Sequence, residues 1–393
     1  MSHDRRSFMK FAAASYGAFV GWMASVKAAS AQRAQVRIAT DGVPLPVPYK
    51  RIATEEAWTT PEIMAEWRKL REQKPADEPG FLSLWGGIMD RGEGDPRGII
   101  RRLLEMDKGR IADMDAAGID VQLLLLTSPG VQVFSDHDKA VKLAADSNDQ
   151  LAQHIRKHPD RYDGLAAIAP QNPKAAALEL DRAVKRLGLK GAVINSHTKG
   201  EYLDDIKFWD IFEAAEALDV PIYIHPNTPP PGFIDVFLKR GYDHGIMGFG
   251  VETAFHTLAI ITSGALDRFP KLKIVIGHAG EGLPYWMYRI DHFRNQARNR
   301  PPSIKELKMR PSDYMKRNLW VTTSGVAWAP PICMAQQVLG VDRVVYAMDY
   351  PFQYLIHEVP EVDSFPISLE EKKMLFQGNA ERLFKLKPRP VAS

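Results

Sequence analysis

The hydrophobic pattern of the chain is a repeated alternation of short apolar runs with longer amphipathic segments. The run Ile274–Gly277 is apolar throughout and is followed by His278, which is typical of a buried strand that ends in a tight turn. Two further apolar runs end in His225 and in Asp349. Polar residues at the carboxyl ends of several buried strands are the pattern found at the active-site face of a (β/α)8 barrel.

Eight apolar runs predict strands, and helical patterns separate them. The predicted strands cover residues 51–54, 121–126, 164–169, 191–195, 221–225, 274–277, 319–323 and 344–349. The predicted helices cover residues 61–71, 99–118, 139–157, 174–187, 206–218, 252–266, 283–298, 331–339 and 377–384. This alternation predicts a parallel sheet, and eight units favour a closed but distorted (β/α)8 barrel of the TIM type. An open doubly wound sheet is the alternative, but no glycine-rich dinucleotide turn supports it.

The first 31 residues have the pattern of an export signal. Asp4–Lys10 matches the twin-arginine motif, an apolar Ala/Gly-rich run covers residues 11–26, and Ala29–Ala31 is a small-residue cleavage signal. We expect cleavage after Ala31, a periplasmic location, and the twin-arginine translocon as a partner during export. A membrane anchor is the alternative, but the apolar run is shorter than the roughly 20 residues that a span needs. We therefore expect no stable membrane insertion after cleavage.

The remaining chain divides into three parts. Residues 32–49 are proline-rich and predict a linker or arm, residues 50–388 predict the barrel, and residues 389–393 form a tail. Residues 72–98 interrupt the barrel pattern with a stretch rich in Gly, Asp and Arg. We interpret this stretch as an insertion after the first strand.

The charge balance argues against a nucleic-acid partner. Of 393 residues, 51 are Lys or Arg and 48 are Asp or Glu, and the excess of +3 lies entirely within the export signal. The hydrophobic content of 45% is enough for a sizeable core. Cys333 is the only cysteine, so an intrachain disulfide is excluded, and we interpret it as a small apolar helix residue.

Four polar residues follow or end the first, fifth, sixth and eighth predicted strands, namely Glu55, His225, His278 and Asp349. In a barrel the carboxyl ends of the strands converge on one mouth, so these side chains are expected to lie close together. Carboxylate oxygens and imidazole nitrogens are suitable ligands for Zn²⁺ or Mn²⁺. Taken singly, a strand-end histidine is more often structural and an aspartate often caps a helix. Together the four predict a metal site.

Several motifs within residues 50–386 occur in the order and spacing of a known family: Ile52–Ala57, Tyr202–Asp205, Phe208–Trp209, Val220–Pro226, Phe269–Pro284, Arg289–His292, Asp342–Phe352 and Gly378–Leu383. By these motifs the chain resembles the decarboxylase branch of the amidohydrolase superfamily. That branch includes γ-resorcylate, 5-carboxyvanillate and aminocarboxymuconate semialdehyde decarboxylases.

The resemblance implies one divalent metal ion per chain, Zn²⁺ or Mn²⁺, with Glu55, His225 and Asp349 as its ligands. It also implies that His278 is a catalytic histidine oriented by Glu281. Many relatives have a histidine two residues after the first ligand, where this chain has alanine. Relatives are commonly dimers, and by resemblance the insertion at 72–98 is a candidate interface arm of a homodimer.

The activity that the resemblance implies is the nonoxidative decarboxylation of a small aromatic acid with an ortho hydroxyl group. Asp349 would give its proton to the ring carbon that bears the carboxylate. His278 would hydrogen-bond a polar substituent, and Arg289 would offset the substrate's charge. The aromatic residues near the predicted mouth are candidates for packing on the ring: Trp58, Phe255, Tyr285, Trp328 and Phe352.

Two other classes of function fit parts of the pattern. The same ligands could activate water in a single-metal hydrolase of a lactone, ester or amide, and export suits such a role. Against a two-metal hydrolase, the first strand has no His-x-His motif. A noncatalytic binding protein of the same fold is the third class, and the intact set of four polar strand-end residues argues against it.

Overall fold

A computed structural model describes residues 47–95, 97–294, 296 and 306–387. The predicted export signal, most of the predicted linker and the predicted tail lie outside the described residues. So do the last residues of the helix predicted for 283–298. Within the described part of the chain, no helix is long and apolar enough to cross a membrane.

Short parallel strands form the centre of the fold. They are β1 (Ile52–Trp58), β2 (Val121–Leu126), β3 (Tyr162–Gly164), β4 (Ala166–Ala167), β5 (Ala192–Asn195), β6 (Pro221–His225), β7 (Lys273–Ile276), β8 (Leu319–Thr322) and β9 (Val344–Val345). Hydrogen bonds pair β1, β2 and β3 in that order, and β4 to β9 in sequence order. Nearly all strand residues are buried, as expected for a parallel sheet covered by helices.

Backbone hydrogen bonds connect the two sets of strands on both sides. Between β3 and β4, the Leu165 N–H donates to the carbonyl oxygen of Leu124 at 2.8 Å, so β3 and β4 occupy one position as an interrupted strand. On the other side, the Thr54 N–H donates to the carbonyl oxygen of Tyr346 at 3.0 Å, which joins β1 to the chain after β9. The strands therefore fill eight positions around a barrel, as predicted.

Helices follow the strands and surround them. They are α1 (Pro61–Gln73), α2 (Pro79–Arg91), α3 (Ile99–Leu104), α4 (Lys108–Ala117), α5 (His137–Lys157), α6 (Pro173–Arg182), α7 (Trp209–Leu218), α8 (Asp235–Leu238), α9 (Gly248–Ser263), α10 (Ala265–Arg268), α11 (Leu283–Arg294), α12 (Pro311–Asn318), α13 (Ala329–Leu339), α14 (Glu358–Asp363), α15 (Leu369–Lys373) and α16 (Asn379–Leu383). Short 3₁₀ or π segments extend several of them, such as Ala183–Leu187 after α6 and Met374–Gly378 before α16.

Two regions differ from the sequence prediction. The predicted insertion contains the helix α2, and its residues Phe81 and Trp85 are buried. The indole N–H of Trp85 donates to the carbonyl oxygen of Ser128 at 3.0 Å. Paired glycines within this helix hid its apolar spacing. The single helix predicted for 99–118 is instead two helices, because the helical conformation is interrupted near Met106. The carbonyl oxygen of Met106 accepts a hydrogen bond from the Tyr162 hydroxyl at 3.2 Å.

Alternate residues along the strands pack into two different apolar clusters. Ile222 and Ile224 belong to a cluster that extends into the helices. Tyr223 and Val275 belong to a second cluster that also contains Val193. This alternation follows from the two-residue period of a strand, and it directs Tyr223 toward the site described next.

Candidate metal centre and substrate cavity

Side chains from three separate parts of the barrel meet at its mouth. One carboxylate oxygen each of Glu55 and Asp349 and one imidazole nitrogen of His225 lie within 4.8 Å of one another. The Nε2 atom of His225 is 3.8 Å from Oε1 of Glu55. The structure therefore brings together the three residues predicted as metal ligands, although they are far apart in the sequence.

Glu55 lies inside β1, because this strand continues to Trp58 beyond its predicted end. Its Oε2 atom accepts hydrogen bonds from the Tyr223 hydroxyl and, at 2.8 Å, from Oγ1 of Thr322. Its Oε1 atom is buried and has no hydrogen-bond partner among the described residues. A buried carboxylate oxygen without a donor is destabilising unless a cation compensates it, so this atom fits a metal ligand.

His225 ends β6 and presents one free ring nitrogen to the cluster. Its Nδ1 atom is 2.9 Å from the carbonyl oxygen of Pro226, so Nδ1 carries the proton and donates it. The Nε2 lone pair is then available on the side of Glu55. Burial lowers the pKa of His225, which favours the neutral imidazole that binds a metal.

Asp349 follows β9 in a left-handed backbone conformation with φ of 69°, which aspartate adopts more readily than most residues. Burial, together with the negative charge of Glu55, raises the pKa of Asp349 well above its usual range, although His278 acts in the opposite direction. Burial and the Glu55 charge therefore favour the protonated carboxyl group over the carboxylate. A carboxyl group that stays protonated can act as a general acid.

His278 and Glu281 form a pair on the turn after β7. The Nδ1 atom of His278 is 2.7 Å from Oε1 of Glu281, and both residues have left-handed backbone conformations. Burial by itself would lower the pKa of His278, but the carboxylates of Glu281 and Glu55 outweigh it and raise the pKa to about 10. In the metal-free chain His278 is therefore a charged hydrogen-bond donor fixed in orientation by Glu281.

A cavity of about 300 Å³ opens onto the cluster, which is the size of a site for a small molecule. Its lining combines His225, His278 and Asp349 with groups from the surrounding loops: Leu84, Arg97, Thr127, Ser128, Pro226, His244, Gly245, Phe249, Gly325, Phe352 and Gln353. Among the aromatic residues predicted to contact the substrate, Phe352 lines this cavity.

Two other residues predicted to contact substrate lie elsewhere in the described chain. Trp58 is buried, with its ring centroid 6.1 Å from that of His154, and it does not line the cavity. Arg289 lies on the exposed side of α11, with its guanidinium carbon 4.7 Å from the centroid of the Phe293 ring. The other aromatic candidates are exposed and do not line the cavity either, namely Phe255, Tyr285 and Trp328.

Among the polar residues of the cavity wall that the sequence did not indicate are Arg97, His244 and Gln353. The Nε atom of Arg97 is 3.5 Å from Oδ1 of Asp95, and Nε2 of His244 is 3.4 Å from Oδ2 of the buried Asp243. All three wall residues lie in loops, where hydrophobic periodicity gives no signal. They add polar groups to the part of the wall formed by these loops.

The donor set fits one divalent metal ion. Two carboxylates and one neutral imidazole suit Mn²⁺ or Zn²⁺ and leave coordination positions for substrate. The side chain of Ala57, two residues after Glu55, offers no ligand atom and is buried in an apolar cluster. Within the described residues, the cluster of Glu55, His225 and Asp349 is the one candidate metal site.

Comparison with known proteins supports the family resemblance found in the sequence. A family model described as amidohydrolase matches residues 100–386. The γ-resorcylate decarboxylase of Polaromonas sp. is 37% identical over 292 residues, which cover 72% of this chain and 89% of the relative. The γ-resorcylate decarboxylase of Rhodococcus jostii is 36% identical over 348 residues, which cover 86% of this chain and 98% of the relative.

Solved structures of decarboxylases have the same fold. The 5-carboxyvanillate decarboxylase of Novosphingobium aromaticivorans, with manganese and 4-hydroxy-3-methoxy-5-nitrobenzoic acid, has a TM-score of 0.83 and 48% identity, covering 86% of this chain and 96% of that one. The dihydroxybenzoic acid decarboxylase of Polaromonas sp., with manganese and 2-nitroresorcinol, has a TM-score of 0.74 and 34% identity, covering 87% and 98%. The predicted fold is thereby confirmed, and the chain belongs to the amidohydrolase family, within its decarboxylase branch.

Proposed function

We propose that this metal-dependent decarboxylase removes CO₂ from a small benzoic acid that carries a hydroxyl group next to the carboxylate. The observation that carries the proposal is the buried carboxyl group of Asp349, which lies in one cluster with Glu55 and His225 and faces the cavity. A group in this position can both contact a metal-bound substrate and give it a proton. Relatives named as decarboxylases of hydroxybenzoic acids support the substrate class.

We assign Mn²⁺ as the bound ion. Two solved relatives contain manganese, and a set of two carboxylates with one imidazole is acceptable to this ion. Zinc binds to the same types of donor. Metal analysis of protein purified without added metal tests the assignment, and stoichiometric zinc would overturn it.

The chemistry follows from the positions of the chain's own groups. When bound, the metal ion lowers the pKa of the substrate hydroxyl and fixes the ring. Asp349 then delivers its proton to the ring carbon that bears the carboxylate. The bond between this carbon and the carboxylate breaks, its electrons restore the aromatic ring, and CO₂ leaves. Asp349 remains as a carboxylate and regains a proton from water or from the hydroxyl of the next substrate.

His278 and Glu281 act on the substrate's orientation. His278 lines the cavity and donates a hydrogen bond to an oxygen substituent of the ring, while Glu281 holds the imidazole through the 2.7 Å contact. A charged donor forms a stronger hydrogen bond to a phenolate or carboxylate oxygen than a neutral one does. Phe249 and Phe352 supply apolar wall for the ring itself.

The substrate is expected to carry a further polar or anionic substituent. Arg97, His244 and Gln353 place three hydrogen-bonding groups on the cavity wall in addition to the metal ligands. An arginine in such a position is suited to a carboxylate. The 5-carboxyvanillate decarboxylase at 48% identity supports a substrate with two carboxylates, of which one is removed and one is retained.

Incubation in D₂O with a panel of acids tests the reaction directly. The protein, loaded with Mn²⁺, is given hydroxybenzoates with and without a second carboxylate, together with aryl esters and lactones, and the products are followed by NMR. A phenol with deuterium at the vacated ring carbon is the expected product. Cleavage of esters or lactones with all carboxylates intact would instead establish the hydrolase alternative.

A homodimer would explain the exposed position of Arg289. The side of α11 on which it lies also exposes Tyr285 at 74% and Tyr288 at 84%, an unusual amount of aromatic surface for a monomer. We propose that a second copy covers this face and that Arg289 contacts substrate in the partner's cavity. Mixing Arg289→Ala with Asp349→Asn protein tests this, because mixed dimers would regain turnover that neither variant has alone. Absence of recovery in verified mixed dimers would overturn it.

Export by the twin-arginine route is proposed from the sequence of the first 31 residues. This route carries folded proteins, so metal binding can precede export. Fractionation of cells that produce the full chain tests it. The periplasmic fraction should contain protein that begins after Ala31, and a Lys–Lys replacement of Arg5 and Arg6 should retain it in the cytoplasm.

A further inference from the structure

Arg110 is a fully buried arginine on α4. Its Nε atom donates to Oε1 of Gln122 at 2.6 Å, and its Nη1 atom donates to the carbonyl oxygen of Ala57 at 2.9 Å. Its guanidinium carbon is 4.5 Å from the centroid of the Tyr350 ring, within the range of a cation–π contact. Burial of a guanidinium is unfavourable unless its contacts compensate it, and none of these groups takes part in the proposed chemistry.

Gln122 extends these contacts to the loop after β9. Its Nε2 atom donates to Oε2 of Glu56 at 3.3 Å, and Oε1 of Glu56 accepts from the backbone N–H of Met348 at 3.0 Å. A direct bond runs in parallel, because the N–H of Ala57 donates to the carbonyl oxygen of Tyr350 at 2.7 Å. One buried network therefore joins the second half of β1 to this loop.

Both ends of the network adjoin metal ligands. On β1 it holds the two residues that follow Glu55, and in the loop it holds the residues on either side of Asp349. A shift in this network would change the separation of the two ligand carboxylates. Metal sites tolerate only about 0.2 Å of deviation in ligand distance, so this separation matters for affinity.

We infer that Arg110, with Gln122 and Glu56, positions the carboxylates of Glu55 and Asp349 at the separation that a divalent metal ion requires. Arg110 is thus a positioning residue that touches neither the metal site nor the cavity. Gln122 also bridges the guanidinium group of Arg110 to the buried side chain of Glu56. The inference rests on the metal site of the proposed function.

Two variants disrupt the hydrogen bonds of the network while they preserve charge or volume. Arg110→Lys keeps the charge but cannot reach Gln122 and Ala57 together, and Gln122→Met keeps the volume but removes both hydrogen bonds. Titration of the metal-free proteins with Mn²⁺, followed by the electron paramagnetic resonance signal of free ions, gives the dissociation constant. We expect binding 10-fold to 100-fold weaker than in the unaltered protein, as for outer contacts of other metal sites. Saturating Mn²⁺ should restore most of the turnover, because the reacting groups are unchanged.

Arg51→Met is the matched control. Arg51 is also buried and adjoins β1, but at its opposite end, where it pairs with Asp363 at 2.7 Å. This variant should lower the unfolding temperature without changing Mn²⁺ affinity. The inference would be overturned if both network variants bound Mn²⁺ as tightly as the unaltered protein and, like the control, lost only thermal stability. If the unaltered protein itself fails to bind Mn²⁺, the proposed metal site fails and the inference fails with it.

Discussion

Gly277 lies directly against the carboxylate of Glu55. A β-carbon at this position would come within 2.9 Å of both carboxylate oxygens, which is closer than such atoms approach in proteins. The absence of a side chain at Gly277, directly after β7, therefore leaves the space that the Glu55 carboxylate occupies. We predict that Gly277→Ala displaces Glu55 and weakens Mn²⁺ binding at least about 10-fold, measured by titration of the metal-free protein.

Gly87→Ala is the control for this prediction. Gly87 lies in α2, and no heavy atom lies within 4 Å of the position that its β-carbon would take. Alanine in a helix lowers the entropy of the unfolded chain, so this variant should gain about 0.4–1 kcal/mol in free energy of unfolding. Its Mn²⁺ affinity should not change. Equal Mn²⁺ affinity in Gly277→Ala and the unaltered protein would show that Glu55 does not depend on the glycine.

Asp349→Asn should abolish turnover and preserve the fold. Asparagine has the shape of a protonated aspartic acid, and burial already favours that protonated form through the raised pKa of Asp349. The amide cannot give a proton to the ring carbon, so we expect a loss of at least about 100-fold in kcat. Thermal unfolding of the metal-free variant should match that of the unaltered protein. A variant that still forms deuterated phenol would remove Asp349 from the role of proton donor.

The ligand positions could be read from the sequence because each is tied to a strong local pattern. His225 and Asp349 follow apolar runs that only a buried strand explains, and strand ends of a barrel converge by topology. Glu55 was found for the same reason, although the strand continues past it. The network around Arg110 had no such signal, since a lone arginine in a helical pattern normally indicates a solvent-exposed face.

The cavity wall could not be predicted from periodicity. Arg97 and His244 lie in loops, and their approach to the cavity depends on how α2 and α9 pack, which is a tertiary property. Trp58 was a candidate for packing on the substrate ring because it lies near the predicted mouth of the barrel. It is instead buried beside His154, because side chains of one strand alternate between two sides of the sheet.

Glu281→Gln should lower the pKa of His278 in the metal-free protein. The carboxylates of Glu281 and Glu55 raise this pKa to about 10 against the opposing effect of burial. Removal of one negative charge at 2.7 Å leaves burial less opposed, so the imidazolium should lose its proton at lower pH. Titration of ¹⁵N-labelled histidine by NMR measures the change. A pKa equal to that of the unaltered protein would show that Glu281 does not hold the charge on His278.

Arg97→Met should discriminate between substrates. The arginine lines the cavity, and a hydrogen bond to a charged group contributes about 1.5–3 kcal/mol, which corresponds to roughly 10-fold to 150-fold in kcat/KM. We predict this loss for acids with a second carboxylate and little change for acids without one. Comparison of kcat/KM for such a matched pair of acids is the measurement. An equal loss of kcat/KM for both acids would mean that Arg97 does not bind the second carboxylate.

His256 gives the folded protein a sensitivity to acid. It is fully buried, its Nε2 atom accepts from the backbone N–H of Leu203 at 3.0 Å, and its Nδ1 atom is 3.0 Å from Oγ of Ser196. Burial, with a smaller effect of His197, lowers the pKa of His256 to about 3. In the unfolded chain the pKa is about 6.5. Stability from the neutral imidazole is therefore present above pH 6.5 and is lost as the pH falls toward 3.

We predict that His256→Gln makes the free energy of unfolding less dependent on pH. Between pH 5.5 and 4 the unfolded chain binds one more proton than the folded chain at this residue, which corresponds to about 1.4 kcal/mol per pH unit. The buried Glu252 nearby changes the free energy of unfolding with pH in the opposite direction. Burial raises its pKa to about 8, so at this residue the folded chain binds more protons than the unfolded chain. Its contribution is common to both proteins, so the difference between their slopes isolates His256. Urea unfolding of the metal-free proteins at several pH values measures both slopes, and equal slopes would mean that the folded chain accommodates a charged His256.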